Sequence, residues 1–424
     1  MWHFLIEAGI SLRNWGMVDW PLLRLRLLRK MRGAAPARNL RYLVLPADPY
    51  NPSGSLGDVA MLSALVGLVR EQHPSAVFTI VGQRAAQLDL PGAGQVPVVA
   101  AWHERKAIEN FDRLVREHDA LFVLGADVLD GQYGAALVHR IVSYCNHAAR
   151  LGVPVTILGF SFNARPRRSC VRALSHLDAS VRLCLRDPIS FARFRHRVRV
   201  AGELCADIAF LLPPSEQKAE IEEWISQRRA QKPLLIGVNI NAHAFGRVIG
   251  QIGTDALVHR IADQLSAAQQ WGKLAYLLLP HDLKAQSGDI TLLKALEKAL
   301  RARGVQDVVY WETTDPAQIK RVTGQLDLVV TGRMHLAIGA LGARTPVLAI
   351  AYQDKFEGLC EHFRLPAETI LYPEECLSGL AERLIFALDR REDTRRRIES
   401  RLPEVIALAR RNVFTDDERM APGR

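Results

Sequence analysis

Arg333 and His335 stand two residues apart, directly after the apolar run Leu328-Val329-Val330-Thr331 and Gly332. A buried strand that ends there must hand the chain straight to a helix, whose first turn presents unpaired backbone N–H groups and the positive end of the dipole. Such a start is an anion site. Arg333 adds a planar cation suited to carboxylate or phosphate. His335 adds a group that gives or takes a proton near neutral pH. The alternative for each is structural, Arg333 pairing with an acid of the fold and His335 being a satisfied core histidine.

Other residues occupy the same kind of place, just past an apolar run. Lys355 follows the run 346–351, where spacing alone favours an ordinary exposed lysine, and Arg186-Asp187-Pro188 follows 181–185. Arg186 is a candidate to reach an anion, and Asp187 to cap the helix opened by Pro188. His281, in Pro280-His281-Asp282, is evenly balanced between a substrate contact and a loop hydrogen bond. Ser53-Gly54-Ser55-Leu56-Gly57-Asp58 is neither a Walker loop nor a dinucleotide fingerprint. Asp58 reads as a helix cap or a substrate contact.

These positions presuppose elements that hold them. Short continuous apolar runs at 41–46, 77–81, 120–124, 153–159, 181–185 and 206–211 alternate with helical spacing. A polar stretch follows at 213–232, and the pattern restarts at 234–240, 274–279, 308–311, 327–331 and 346–351. Strands apolar throughout are buried on both faces, which predicts parallel sheets. We therefore expect an α/β chain divided into a basic N-terminal segment 1–38, a Rossmann-like domain 39–215, a linker helix 216–232, a second Rossmann-like domain 233–390 and a charged helix 391–424, with ligands off the carboxyl ends of the strands.

Composition fits this reading. The 424 residues are 49% hydrophobic and 24% charged, as in a globular protein long enough for two cores. The net charge of +10 is uneven, since residues 1–42 hold eight Arg or Lys against two acids. That argues against a nucleic-acid-coating protein and leaves room for an anionic small substrate or a membrane-surface tail. The six cysteines form no Cys-x-x-Cys pair and no regular spacing with histidine, so reduced buried thiols are expected and neither zinc nor a disulfide framework. No run reaches the ~18 apolar residues that span a bilayer, and no signal-peptide order is present, so a cytoplasmic chain is expected. Residues 2–32 mix Trp2, Phe4, Trp15 and Trp20 with Arg24, Arg26, Arg29 and Lys30. They read equally as a segment lying in the inner membrane face or as a helix packed on the body.

Taken together, the segments Gly57-Asp58, Leu158 to Asn163, Leu185 to Ser190, Ala206 to Phe210, Pro280 to Asp282, Gly332 to His335 and Ile350 to Lys355 resemble, in order, the polysaccharide pyruvyl transferase family. The resemblance implies a glycosyltransferase-B-like pair of Rossmann-type domains with an interdomain cleft. It implies transfer of pyruvate from phosphoenolpyruvate to two hydroxyls of a sugar in a cell-envelope or exported polysaccharide, or its lipid-linked precursor, forming a ketal. Phosphoenolpyruvate is then the donor substrate, with no cofactor and no metal. By the same resemblance Arg333, Lys355 and Arg186 bind the donor and His335 transfers the proton, while Asp58, Ser161, Asn163 and His281 are candidate acceptor or cleft contacts. Two places depart from the family pattern. Leu56 stands where Asn is usual, and Gly125-Ala126-Asp127 where a glycine-rich turn is common. Two alternatives remain: a glycosyltransferase using a nucleotide sugar, although residues 305–360 show no obvious pair of glutamates for it, and a non-catalytic sugar- or partner-binding relative.

Overall fold

The structure, a computed structural model, describes residues 14–19, 22, 39–103, 105–231, 233–283, 289–352 and 355–413. Most of the basic N-terminal segment and the tail beyond 413 lie outside the described residues. The chain forms two compact units. The first comprises residues 1–53, 61–211 and 407–424, and the second 54–60 and 212–406. This differs from a contiguous division in two places. The first turn of the Leu56–Gln72 helix belongs to the second unit, and the end of the Arg391–Arg410 helix belongs to the first.

The first unit contains an eight-stranded sheet. Its strands are β1 (Arg41–Leu45), β2 (Val77–Gly82), β3 (Ala86–Leu90), β4 (Gly94–Ala100), β5 (Ala120–Ala126), β6 (Val155–Phe160), β7 (Arg182–Leu185) and β8 (Glu203–Leu204). Their order is β3-β4-β2-β1-β5-β6-β7-β8, parallel except for the β3–β4 hairpin. That hairpin escaped the sequence reading because its burial is patchy and β3 is largely exposed. The expected strand at 206–211 is instead the short helical turn Ile208–Leu211. Asp207 causes the difference, since its carboxylate accepts the Ala209 N–H at 2.9 Å and curls the chain after β8.

The second unit contains a six-stranded sheet of β9 (Leu234–Asn239), β10 (Leu274–Leu278), β11 (Val308–Tyr310), β12 (Leu328–Thr331), β13 (Val347–Ile350) and β14 (Ile370–Leu371). Every pairing is parallel and the order is β11-β10-β9-β12-β13-β14. The chain reverses its direction of travel between β9 and β12. A crevice for a ligand belongs at such a switch point, off the carboxyl ends of the strands. Ile236, Val238, Tyr276, Leu278, Val330 and Leu348, all nearly inaccessible, build the core against helices Thr254–Ala268 and Ile290–Ala302.

The stretch expected as a linker is a helix, Ile221–Gln231, whose Ile221 and Ile225 are buried in the second unit. The charged final helix buries Ile398, Val405 and Ala409 along one side. All six cysteines are buried and free. Among the described residues no helix is long and apolar enough to cross a membrane.

Candidate functional site

Two adjacent strand ends build the site. β9 and β12 pair in register with Asn239 opposite Thr331. Past Thr331 the chain turns at Gly332 and enters the Met334–Gly342 helix, with Arg333 as its cap residue. Gly332 is required by proximity, because a Cβ there would lie 2.6 Å from Asn241 Nδ2 and 3.1 Å from Ala244 Cβ. Asn241 caps the opposite helix, Ala242–Ile252, by accepting the Ala244 N–H at 2.8 Å. Two helix starts therefore face the switch point.

Asp289 is the anchor of this site, and the sequence reading missed it. Its carboxylate is fully buried and accepts from Arg333 Nε at 3.0 Å and Arg333 Nη2 at 2.6 Å. It also accepts from Asn239 Nδ2 at 2.7 Å and from the backbone N–H of His281 at 2.9 Å. Asp282 lies 3.2 Å from the same guanidinium. Burial alone would lower the Arg333 pKa, but the two carboxylates outweigh it and the net direction is upward. The structural alternative for Arg333, pairing with acids of the fold, is thus present, and it fixes one edge of the guanidinium.

His335 is the second residue of that helix, within its first turn. Its ring occupies the space beside Gly57, where a Cβ would come within 2.2 Å of Nδ1. The Leu56 N–H approaches the His281 carbonyl at 3.4 Å. His281 is held well below the usual imidazole pKa, first by burial and then by the charges of His335 and Arg333. It is a neutral, buried neighbour of the other two. Lys355 opens the Lys355–His362 helix after β13, the strand next to β12. Its ammonium lies 5.0 Å over the Tyr352 ring and donates to the Tyr352 hydroxyl at 3.3 Å. His243, on the helix after β9, is within electrostatic reach of Arg333 and Lys355. Burial and those two cations lower its pKa, against a partial offset from Asp282 and Asp289.

Asp58 does not take the cap position. Ser55 does, its hydroxyl accepting the Asp58 N–H at 3.2 Å and donating to the Asp58 carboxylate at 3.2 Å.

In the first unit, Arg186 is buried and donates to Asp207 at 2.9 Å and to the Ser161 hydroxyl at 2.8 Å. Asp187 caps the Pro188–Arg197 helix as expected, accepting the Ser190 N–H at 2.7 Å. Asn163 is tied to Asp130, whose carboxyl burial pushes up to about 6. Arg186, Ser161 and Asn163 therefore sit in a buried polar network at the ends of β6 and β7. Their sequence signal, a strand end, is the same for an exposed contact and for an internal tie.

Residues 56–354 match the family model of polysaccharide pyruvyl transferases. The chain belongs to this family. The matched stretch takes in Gly57, His281, Asp289, Arg333 and His335 and stops one residue before Lys355. No curated protein sequence matches the chain significantly. Similar solved structures include the UDP-N-acetylglucosamine 2-epimerase of Neisseria meningitidis bound to UDP-GlcNAc, at 11% identity and TM-score 0.56, covering 88% of this chain and 98% of that one. A putative enzyme of the same name from Listeria monocytogenes gives 10% identity and TM-score 0.58, over 88% and 94%. Anabaena HepE in complex with UDP-glucose gives 14% and 0.54, over 88% and 95%. At such identities the likeness is one of fold. The family's two Rossmann-like domains are glycosyltransferase-B-like.

Proposed function

We propose that this family member moves pyruvate from phosphoenolpyruvate onto two hydroxyls of a sugar in an envelope or exported polysaccharide, or its lipid-linked precursor, as a ketal. The observation that carries the reading is the gathering of Arg333, His335, Lys355 and His243 at the β9–β12 switch point, with Arg333 braced by Asp289. Phosphoenolpyruvate presents a carboxylate and a phosphate close together, which several fixed cations suit better than one. In this reading Arg333 and Lys355 hold the donor. His335 supplies a proton to the methylene carbon as a sugar hydroxyl oxygen bonds the adjacent carbon, and the proton of that hydroxyl balances the one given. The second hydroxyl then displaces inorganic phosphate from the same carbon, its proton leaving with the phosphate. Arg186 is left out of the donor set, because its side chain is 1% exposed against 15% for Arg333.

The UDP-sugars bound to two of the similar structures favour a second reading, transfer from a nucleotide sugar. Incubation of the full chain with either donor and envelope oligosaccharides separates the two. Release of inorganic phosphate with an acid-labile gain of pyruvate on the acceptor is expected. Release of UDP with phosphoenolpyruvate untouched would overturn the pyruvyl transfer.

A further inference from the structure

Residues 165–199 carry ten arginines against two aspartates. Together with the excess in residues 1–42 they account for more than the whole net charge of +10, so the rest of the chain is net acidic. Arg182 pairs with Glu203, Arg186 with Asp207, and Arg195 lies 5.5 Å over the Phe191 ring. Arg165, Arg167, Arg168, Arg172, Arg195, Arg197 and Arg199 are exposed. The cations at the two helix ends complement the dipoles, but seven exposed arginines are more than two short helices use.

Topology places these arginines on one side of the molecule's first sheet. From β5 through β8 the strands advance in a single direction. Right-handed crossovers then put helices Ala135–Arg150, Arg168–Leu174 and Pro188–Arg197 on the same face. Contacts agree. Asn146 on the first of these helices donates to the His176 carbonyl at 3.0 Å, and the Arg199 N–H donates to the Ser175 hydroxyl at 3.2 Å. The described part of the N-terminal segment joins the same face. Asn14, Val18 and Leu22, four residues apart, are buried, and Asn14 donates to Ser143 at 3.0 Å.

We propose that this face, the helices Arg168–Leu174 and Pro188–Arg197 with the loop to Arg199, docks the protein on an anionic lipid surface. Charge complementarity argues for a polyanion, since each arginine near an anionic leaflet adds attraction that is independent of sequence or shape. Two observations select a bilayer over nucleic acid. No large aromatic side chain between 165 and 199 is exposed to stack on bases. The chain also carries, in residues 2–32, tryptophans interspersed with basic residues, the composition of an interfacial anchor. The inference does not depend on the donor assignment, because vesicle binding is read without turnover.

The test is sedimentation of the full chain with vesicles of phosphatidylcholine alone or mixed with phosphatidylglycerol, compared with the variant Arg168→Gln, Arg195→Gln, Arg197→Gln, Arg199→Gln. Binding to the mixed vesicles alone is expected, weakened by salt. In the variant it falls by about ten-fold or more at an unchanged unfolding midpoint. Equal binding by the variant, equal binding to neutral vesicles, or tighter binding to a single-stranded oligonucleotide that displaces the vesicles would each overturn the proposal.

Discussion

At the residue scale, one buried carboxylate decides how the site's cation is presented. Asp289 immediately precedes the Ile290–Ala302 helix, a place where an aspartate ordinarily caps, yet its side chain makes no cap bond. It is turned to Arg333, Asn239 and the 281–282 backbone instead. Asp289→Asn removes the ionic half of a buried pair, and a loss of about 3 kcal/mol is expected in denaturant unfolding. If Arg333 holds the donor, the KM for phosphoenolpyruvate rises more than kcat falls, and an unchanged KM would separate Asp289 from donor binding. His281 supplies a pH test. Its folded pKa lies below the unfolded value near 6.5, so the unfolded chain binds the extra proton. Its neutral state is fully compatible with the fold above that pH, and stability is lost as pH falls below about 6.5 toward the folded pKa. The thermal midpoint of His281→Asn should therefore fall less between neutral and mildly acidic pH than that of the parent chain; parallel curves would contradict the buried, depressed state.

At the element scale, the site is a product of two helix starts and one misplaced turn. The first turn of the Leu56–Gln72 helix belongs to the second unit and brings Gly57 against the imidazole of His335. A methyl group at Gly57 must displace that ring, since 2.2 Å is far inside contact distance. Gly57→Ala should lower kcat/KM by about 100-fold, the cost of moving a proton-transfer group by roughly an ångström. Far-ultraviolet dichroism should remain unchanged, because the φ of Gly57 is not in the left-handed region. Full activity would mean that the position of His335 is immaterial.

At the scale of the whole molecule, the C-terminal helix returns the chain to the first unit, and Asn412 locks the return. It is fully buried, with Oδ1 accepting the Gly159 N–H at 2.7 Å and Nδ2 donating to the Ala206 and Ala409 carbonyls at 2.8 Å. Asn412→Ala takes their side-chain partner from the buried Gly159 N–H and Ala206 carbonyl, while the Ala409 carbonyl keeps the Asn412 backbone N–H at 3.2 Å, and a destabilisation of about 2–4 kcal/mol is expected from urea unfolding of the full chain. A change under half a kilocalorie would show that water replaces the amide at little cost.

The apolar runs and the residues following them were enough, by themselves, to define two parallel-sheet domains and to single out Arg333 and His335, whereas Lys355 joined them only through the family resemblance. Strand burial on both faces leaves an unbroken apolar signature, and ligand groups gather where such a strand ends. The order of the short motifs was likewise readable as a family resemblance. Tertiary structure alone decided the rest, because the deciding contacts join residues far apart in the chain. Asp289 and Arg333 are 44 positions apart, and Asp207 captures Arg186 across 21. The same strand-end signal thus marks Arg333, braced at the switch point, and Arg186, buried in a polar tie. Both meet a buried aspartate on folding, and only the residual exposure of the Arg333 guanidinium, 15% against 1%, tells them apart.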